Sequence, residues 1–273
     1  MCAATPDPVV PPPAGSMQWQ AWIYTPPPVR ALIAAAFALE AELRRIVDAR
    51  VDHGVAHLKL QWWREEFQRL ELGQPRHPLT QTALAAAGAG PGWRPFQGLL
   101  SSLELDLASS TYETEAELDR YLALAAGRQC AIAQLLVPAD ERVARFAGAA
   151  GRSIRAIEVI RDLRQDAANG RIYIPLAWLD AEGVDHDALR AERLSDGLGR
   201  CLARLAENAR EQGRRARNLL AGDDLPVLRG HKVLLELHLA LLDRIERGQF
   251  EAGRQALGPM RSLWTAWRAA RQH

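Results

Sequence analysis

From Arg30 onward, apolar residues recur at three- and four-residue spacing in a chain rich in Ala, Leu and Arg. That period belongs to helices that bury one face, and it constrains the fold more than any other feature. It predicts helices over 30–51, 54–72, 78–87, 94–108, 114–135, 138–168, 186–219, 226–247 and 257–271. The punctuation agrees, because Gly73/Pro75, Pro91/Pro95, Gly170, Gly222/Pro226 and Gly258/Pro259 fall between the periodic segments. Strand signal is confined to "RIYIP" (171–175), which is too short to imply a sheet. Eight of the 16 prolines lie in the first 28 residues, so 1–28 reads as a flexible proline-rich arm outside the fold. The expectation is an all-α domain over 29–273 with about nine helices and a substantial core.

Charge narrows the function. Lys+Arg 34 against Asp+Glu 33 leaves a net charge of +1, so no strong global field steers the chain to nucleic acid or membrane. All the basic residues except Lys59 and Lys232 are arginine or histidine; genome-level codon bias is the commoner origin of such an excess, although arginine's planar fork also suits phosphate oxygens. Cys2, Cys130 and Cys201 form no CxxC pair and no zinc spacing, which fits a reducing compartment. The apolar run 31–39 stops at Glu40, short of the ~20 residues a membrane span needs. No signal peptide is visible, and the expected location is cytoplasmic.

Two acidic segments stand out from the scattered charges. In "LRRIVDARVD", Arg45, Asp48 and Asp52 sit at i, i+3 and i+7. In "RAIEVIRDLRQDAANGRIYIP", Arg155, Glu158, Asp162 and Asp166 sit at i, i+3, i+7 and i+11. On helices each set shares a face, although like charges at i, i+4 repel. A solvated acidic face laced with arginine is the commoner origin of any single DxxxD. Two matched Arg-x-x-carboxylate-x-x-x-Asp segments point instead to oxygen ligands for Mg²⁺, which takes one or two carboxylates plus water and phosphates.

These motifs resemble those of the squalene/phytoene synthase family of head-to-head prenyl synthases. "LRRIVDARVD" is similar to the family's first Asp-rich motif. "KLQWWREEF", "GQPRHPLTQTAL", "LELD" and "YETEAELDRYLALAAG" follow in order, and "IRDLRQDAANGRIYIPLAWLDAEGV" resembles the second motif with its Gly-Arg-x-Tyr-x-Pro tail. The resemblance implies an isoprenoid-synthase-type helical bundle around a central cavity. It implies that Asp48, Asp52, Asp162 and Asp166 hold magnesium on substrate diphosphates. Arg45, Arg155 and Arg171 are then candidates for diphosphate oxygens, and Tyr173 for a catalytic position lining the cavity. The implied substrates are prenyl diphosphates such as farnesyl or geranylgeranyl diphosphate, with pyrophosphate released. An apolar product invites peripheral membrane contact. No motif supports an NADPH site.

The chain departs from the family where Arg155 and Glu158 replace Gln and Asn. Glu158 either adds a metal ligand or neutralises Arg155. Ala49 and Arg50 also stand in the middle of the first motif, where the synthases commonly place another acid or an apolar residue. In "FALEAELRRIVDARVD" and the short link from Asp52 to Lys59, the chain resembles a non-catalytic branch that assists assembly of respiratory complex I. The alternative function is therefore an assembly factor with a protein partner, or a prenyl-lipid binder. Trp62 and Trp63 read as a packing anchor or a tunnel wall, and His53 and His57 as partly exposed helix residues without a third ligand. "GAGPG" near Gly88 follows no strand and reads as a loop. Trp264 and Trp267, at i, i+3, are expected to dock the last helix onto the bundle.

Overall fold

The computed structural model describes residues 10–48, 52–109, 111–191, 193–222, 225–250 and 255–271. Within them the regular structure is helical and no strand occurs. The helices are α1 (Met17–Ile23), α2 (Arg30–Asp48), α3 (His53–Glu71), α4 (Pro78–Ala87), α5 (Pro95–Leu107) and α6 (Glu115–Ala125). They continue with α7 (Gly127–Leu136), α8 (Glu141–Ala168), α9 (Leu176–Ala181), α10 (Asp196–Leu219), α11 (Arg229–Arg247) and α12 (Pro259–Arg271). Ser16, Asp52, Thr114, Asp140 and Ser195 each cap a helix start by accepting backbone N–H bonds. The middle of the first acidic motif, 49–51, lies outside the described residues.

Helix α8, 28 residues long and so ~42 Å, is the axis of the bundle. It packs against α10, α7, α11 and α6. Its run of Ala147, Gly148, Ala149, Ala150 and Gly151 lets neighbours come close, and Ser153 Oγ donates to Ala209 O at 2.8 Å to tie it to α10. The predicted 114–135 helix divides at Ala126/Gly127 into α6 and α7. The junction is wedged between two other helices. A Cβ on Gly127 would meet the Pro95 carbonyl oxygen and lie 2.9 Å from Leu99 N, and one on Gly151 would meet Ala126. The predicted 186–219 helix begins only at Asp196, because Asp185 draws the Ala188 N–H to its carboxylate at 2.8 Å and Ser195 caps the later start. "RIYIP" is extended but pairs as no strand.

Part of the segment expected to stay outside the fold is inside it. Helix α1 packs on α11 so closely that a Cβ on Gly230 would meet Thr25 Oγ1 and lie 2.7 Å from Ala21 O. Arg30 locks the next turn by donating to Ile23 O and Thr25 O, each at 2.8 Å. Proline density hid an amphipathic heptapeptide, "MQWQAWI", with its own Ser16 cap.

The last helix corrects a second expectation. Helix α12 packs on α11 through Ala266 and Ala269, and its Ser262 donates to Gln20 Oε1 of α1 at 2.8 Å, while Trp264 and Trp267 face outward. Trp63 is buried against Phe67 and His77, and Trp62 lies at the surface.

Glycines of α7 and α8 give a test with opposite signs. Gly127→Ala and Gly151→Ala should each lower the unfolding free energy by ~1–3 kcal/mol through overpacking. Gly148 has nothing within 4 Å of a built Cβ, so Gly148→Ala should leave stability unchanged or raise it by ~0.5–1 kcal/mol through helix propensity. Urea denaturation of the three variants checks both signs.

Candidate active site

Helices α2 and α8 each contribute a line of residues to one cavity of about 580 Å³. Along α2 the lining follows one face through Ala34, Phe37, Ala38, Glu40, Ala41, Arg44, Val47 and Asp48. The stripe covers ~21 Å of helix and changes from apolar to charged along its length. Val10, Pro11, Pro12 and Pro13 also line the cavity, so this part of the proline-rich segment is a wall. From α8 come Arg155, Glu158, Arg161, Asp162, Gln165 and Asp166, joined by Leu103 and Asp106 from α5 and by Arg171 and Tyr173 beyond α8.

The end of α8 is built by its sequence. Gly170 takes φ +79°, its N–H bonds to Ala167 O at 3.1 Å, and Arg171 N–H returns to Asp166 O at 2.8 Å. This is a Schellman close, which favours glycine at its left-handed position. It turns the chain back so that the Arg171 guanidinium lies on the Asp166 carboxylate at 3.1 Å. The same guanidinium reaches Asp48 of α2 at 3.4 Å. One arginine thus brings together an aspartate from each acidic motif.

Deeper in the wall, Arg155 is almost fully buried. It donates to the Tyr121 hydroxyl at 2.6 Å and to the Tyr173 hydroxyl at 3.1 Å, and its guanidinium carbon lies 5.5 and 5.1 Å from those ring centres. Tyr173 donates in turn to Asp106 Oδ1 at 2.7 Å. Glu158 faces Arg155 at 3.4 Å, Arg44 at 3.9 Å and His238 at 3.8 Å. Burial alone would raise the Glu158 pKa, but the nearby His238 imidazole and the Arg44 and Arg155 charges outweigh it and hold the carboxyl well below its ordinary range. Of the two roles open to Glu158, neutralising Arg155 is the one its contacts display. Burial pushes the Tyr173 phenol up, with Asp106 and Asp166 adding to the rise, so this phenol stays protonated and serves as a donor and a wall.

The structure brings Asp48, Asp162, Asp166, Glu158, Arg155, Arg171 and Tyr173 together around the cavity. It does not bring Arg45 or Asp52 to its wall. The Arg45 side chain is 75% exposed and pairs with Glu42. Its neighbour Arg44, ~100° round the helix, enters the cavity instead and bonds Glu40 at 3.0 Å. Asp52 caps α3 by accepting from Val55 N at 3.2 Å. Sequence reasoning did not single out Arg44, Asp106, Tyr121 or Arg161. The α2 stripe could have identified Arg44, whereas the others depend on tertiary packing. Asp162 is held bidentately by Arg161, with one contact at 2.9 Å.

Among the described residues no group of three or more His, Cys, Asp and Glu is placed to hold a metal alone. His53 and His57 approach at 3.2 Å on an exposed surface and gain no third ligand there. Asp48, Asp162 and Asp166 are hard oxygen donors on one cavity, and Mg²⁺ that arrives on a phosphate needs only one or two such carboxylates. The donor chemistry therefore fits a substrate-borne magnesium.

Burial pushes the Asp166 carboxyl up to about 6 against the pull of Arg155 and Arg171. Because its folded pKa lies above the ordinary 3.8, its contribution to stability is fully present below that value and is lost as pH rises through about 6. Carbon NMR of the free protein should show Asp166 titrating near pH 6. A midpoint near 3.8 would mean that the two arginines cancel the effect of burial.

With this geometry in place, known proteins give a consistent comparison. The family model for squalene/phytoene synthase matches residues 20–268. A phytoene synthase of Thermus thermophilus is 31% identical over 178 residues, covering 61% of this chain and 58% of that protein. A presqualene diphosphate synthase of Rhodopseudomonas palustris is 24% identical over 200 residues, covering 72% and 71% respectively. The matched stretch thus spans somewhat over half the length of the Thermus relative. A crystal structure of a dehydrosqualene synthase superposes with a TM-score of 0.75 at 16% identity, covering 93% of this chain and 90% of that one. The squalene synthase HpnC of Alicyclobacillus acidocaldarius gives 0.69 at 24% identity, covering 86% and 89%. Those two superpositions establish the helical fold, and the family model spans nearly all of it. The chain belongs to the squalene/phytoene synthase family.

Proposed function

We propose that the chain is a magnesium-dependent prenyltransferase that joins two prenyl diphosphates head to head and releases pyrophosphate. The observation that carries this reading is the polarity of the cavity. Charged groups from both acidic motifs gather around Arg171 and Asp48, while Ala34, Phe37, Ala38 and Val10–Pro13 supply apolar wall. A ligand with an anionic head and a hydrocarbon tail matches both parts, and the volume lies within the ~300–1,000 Å³ usual for small-molecule sites. The relatives' names, phytoene synthase and presqualene diphosphate synthase, point the same way.

In the proposed reaction the C1–O bond of one allylic diphosphate breaks and its electrons leave with pyrophosphate. The double bond of the second substrate attacks that carbon, and the joined product loses a proton. Magnesium, held through Asp48, Asp162 and Asp166, would neutralise the departing charge. Arg171 and Arg44 are positioned for diphosphate oxygens, which a guanidinium fork binds bidentately. Arg155 holds Tyr121 and Tyr173 in the wall, and the aromatic and apolar lining keeps water from the cation. Arg45 and Asp52, off the wall, receive no direct contact in this scheme. Three unpaired-spacing cysteines favour a cytoplasmic setting, and none of the described helices is long and apolar enough to cross a membrane.

The experiment is magnesium-dependent pyrophosphate release from farnesyl and geranylgeranyl diphosphate. Asp162→Ala should reduce release by at least ~10²-fold, as loss of one electrostatic contact to the reacting centre typically does, with an unchanged melting temperature. Unaltered release by the variant would remove the assigned role of Asp162. No release from either substrate by the folded wild-type chain would overturn the enzyme reading and leave the non-catalytic alternative.

A further inference from the structure

Helix α12 reverses the usual order of a surface helix. The residues it buries against the bundle are Ser262, Ala266 and Ala269. The large apolar ones are exposed: Met260 at 80%, Trp264 at 59%, Leu263 at 47% and Trp267 at 39%. With ~100° per residue, these four fall in an arc of about 100° on the side turned away from α11. The indoles of Trp264 and Trp267 stack at 5.1 Å, and the Arg271 guanidinium lies 4.3 Å over the Trp267 ring. Arg261 and Arg268 share one flank of the apolar arc. From Ala252 onward the sequence has arginines at 254, 261, 268 and 271 and no Asp or Glu.

We infer that this face of α12 docks the protein on the surface of an anionic lipid bilayer, lying in the interface and not crossing it. A helix whose outer face combines Trp and Leu with flanking arginine has the composition of an interfacial anchor. The indole, with an apolar body and one N–H, prefers the headgroup boundary. Arginines along one flank meet lipid phosphates, and the cationic stretch has no acid of its own to compete. The charge pattern disfavours a second copy as the occupant. A two-fold interface sets a patch against itself, and α12 has no carboxylate to offer the arginines of its copy. The inference stands apart from the proposed reaction and is tested without it.

The test is co-sedimentation of the full chain with vesicles of equal parts phosphatidylglycerol and phosphatidylethanolamine, compared with phosphatidylcholine alone. Wild type should partition to the anionic vesicles with a blue shift of tryptophan emission. Trp264→Ser/Trp267→Ser should weaken partition at least ~10-fold by removing the interfacial contact. Arg261→Gln/Arg268→Gln should abolish the preference for phosphatidylglycerol. The substitutions leave Ser262, Ala266 and Ala269 in place, and the melting temperature reports folding. Three results would overturn the inference: wild type remaining in the supernatant, both double variants partitioning like wild type, or a lipid-free dimer that the tryptophan variant dissociates. Should the tryptophan variant fail to fold, the wild-type and arginine arms decide.

Discussion

Charge pairing in the wall between α2 and α8 is the constraint on which the rest of the structure depends. A guanidinium as buried as Arg155 costs several kcal/mol of desolvation unless partners surround it. Here Tyr121, Tyr173, Glu158 and Asp106 surround it, drawn from α6, α5, α8 and the segment beyond α8. Arg171 similarly satisfies Asp166 and Asp48 from two different helices. These partners lie far apart in the chain, so the helices that carry them must keep their relative positions for the charges to remain paired. The glycine crossings at Gly127 and Gly151 serve that requirement by letting α5, α6, α7 and α8 approach with little side chain between them.

The same pairing gives the cavity two kinds of surface. At the charged end six carboxylates (Glu40, Asp48, Asp106, Glu158, Asp162 and Asp166) outnumber four guanidinium groups (Arg44, Arg155, Arg161 and Arg171), so in the proposed reaction a diphosphate would find arginine donors and a magnesium ion aspartate oxygens. Tyr173 illustrates how support and lining combine. Its hydroxyl is committed to Asp106 and Arg155, and its ring is left to border the cavity.

Much of this was legible in the sequence, for identifiable reasons. Helical periodicity locates α2, α3, α4, α5, α8 and α11 because their buried faces are continuous, and α12 because its exposed apolar face repeats at the same spacing. It missed α1, whose seven residues are set among prolines, and α9, whose six residues are too few to show a period. Spacing placed Asp48, Asp162 and Asp166 on common faces, and the Asn169–Gly170 stop foretold the turn that presents Arg171. Spacing could not separate Arg44 from Arg45, because adjacent arginines at the edge of a stripe differ only in which way the helix is rolled. Nor could it assign Asp52, which reads as one more acid of the motif yet caps the helix that follows. Tyr121 and Asp106 meet Arg155 only after α5, α6 and α8 have packed. In α12 the large apolar residues mark the outer face, because the small residues Ser262, Ala266 and Ala269 make the inner contact.

The segment Val10–Pro13 has a consequence for the apolar side of that cavity. Backbone bordering a hydrocarbon space normally presents amide protons that need an acceptor, and an unmet one draws in water. Pro11, Pro12 and Pro13 have no amide proton to present, and the Pro13 carbonyl is already engaged by Ser16 N at 3.1 Å. Three consecutive residues thus supply irregular backbone to the cavity edge with every donor deleted. A stretch that reads as a flexible linker by composition is, in this position, main chain that hydrocarbon can touch without leaving an N–H stranded.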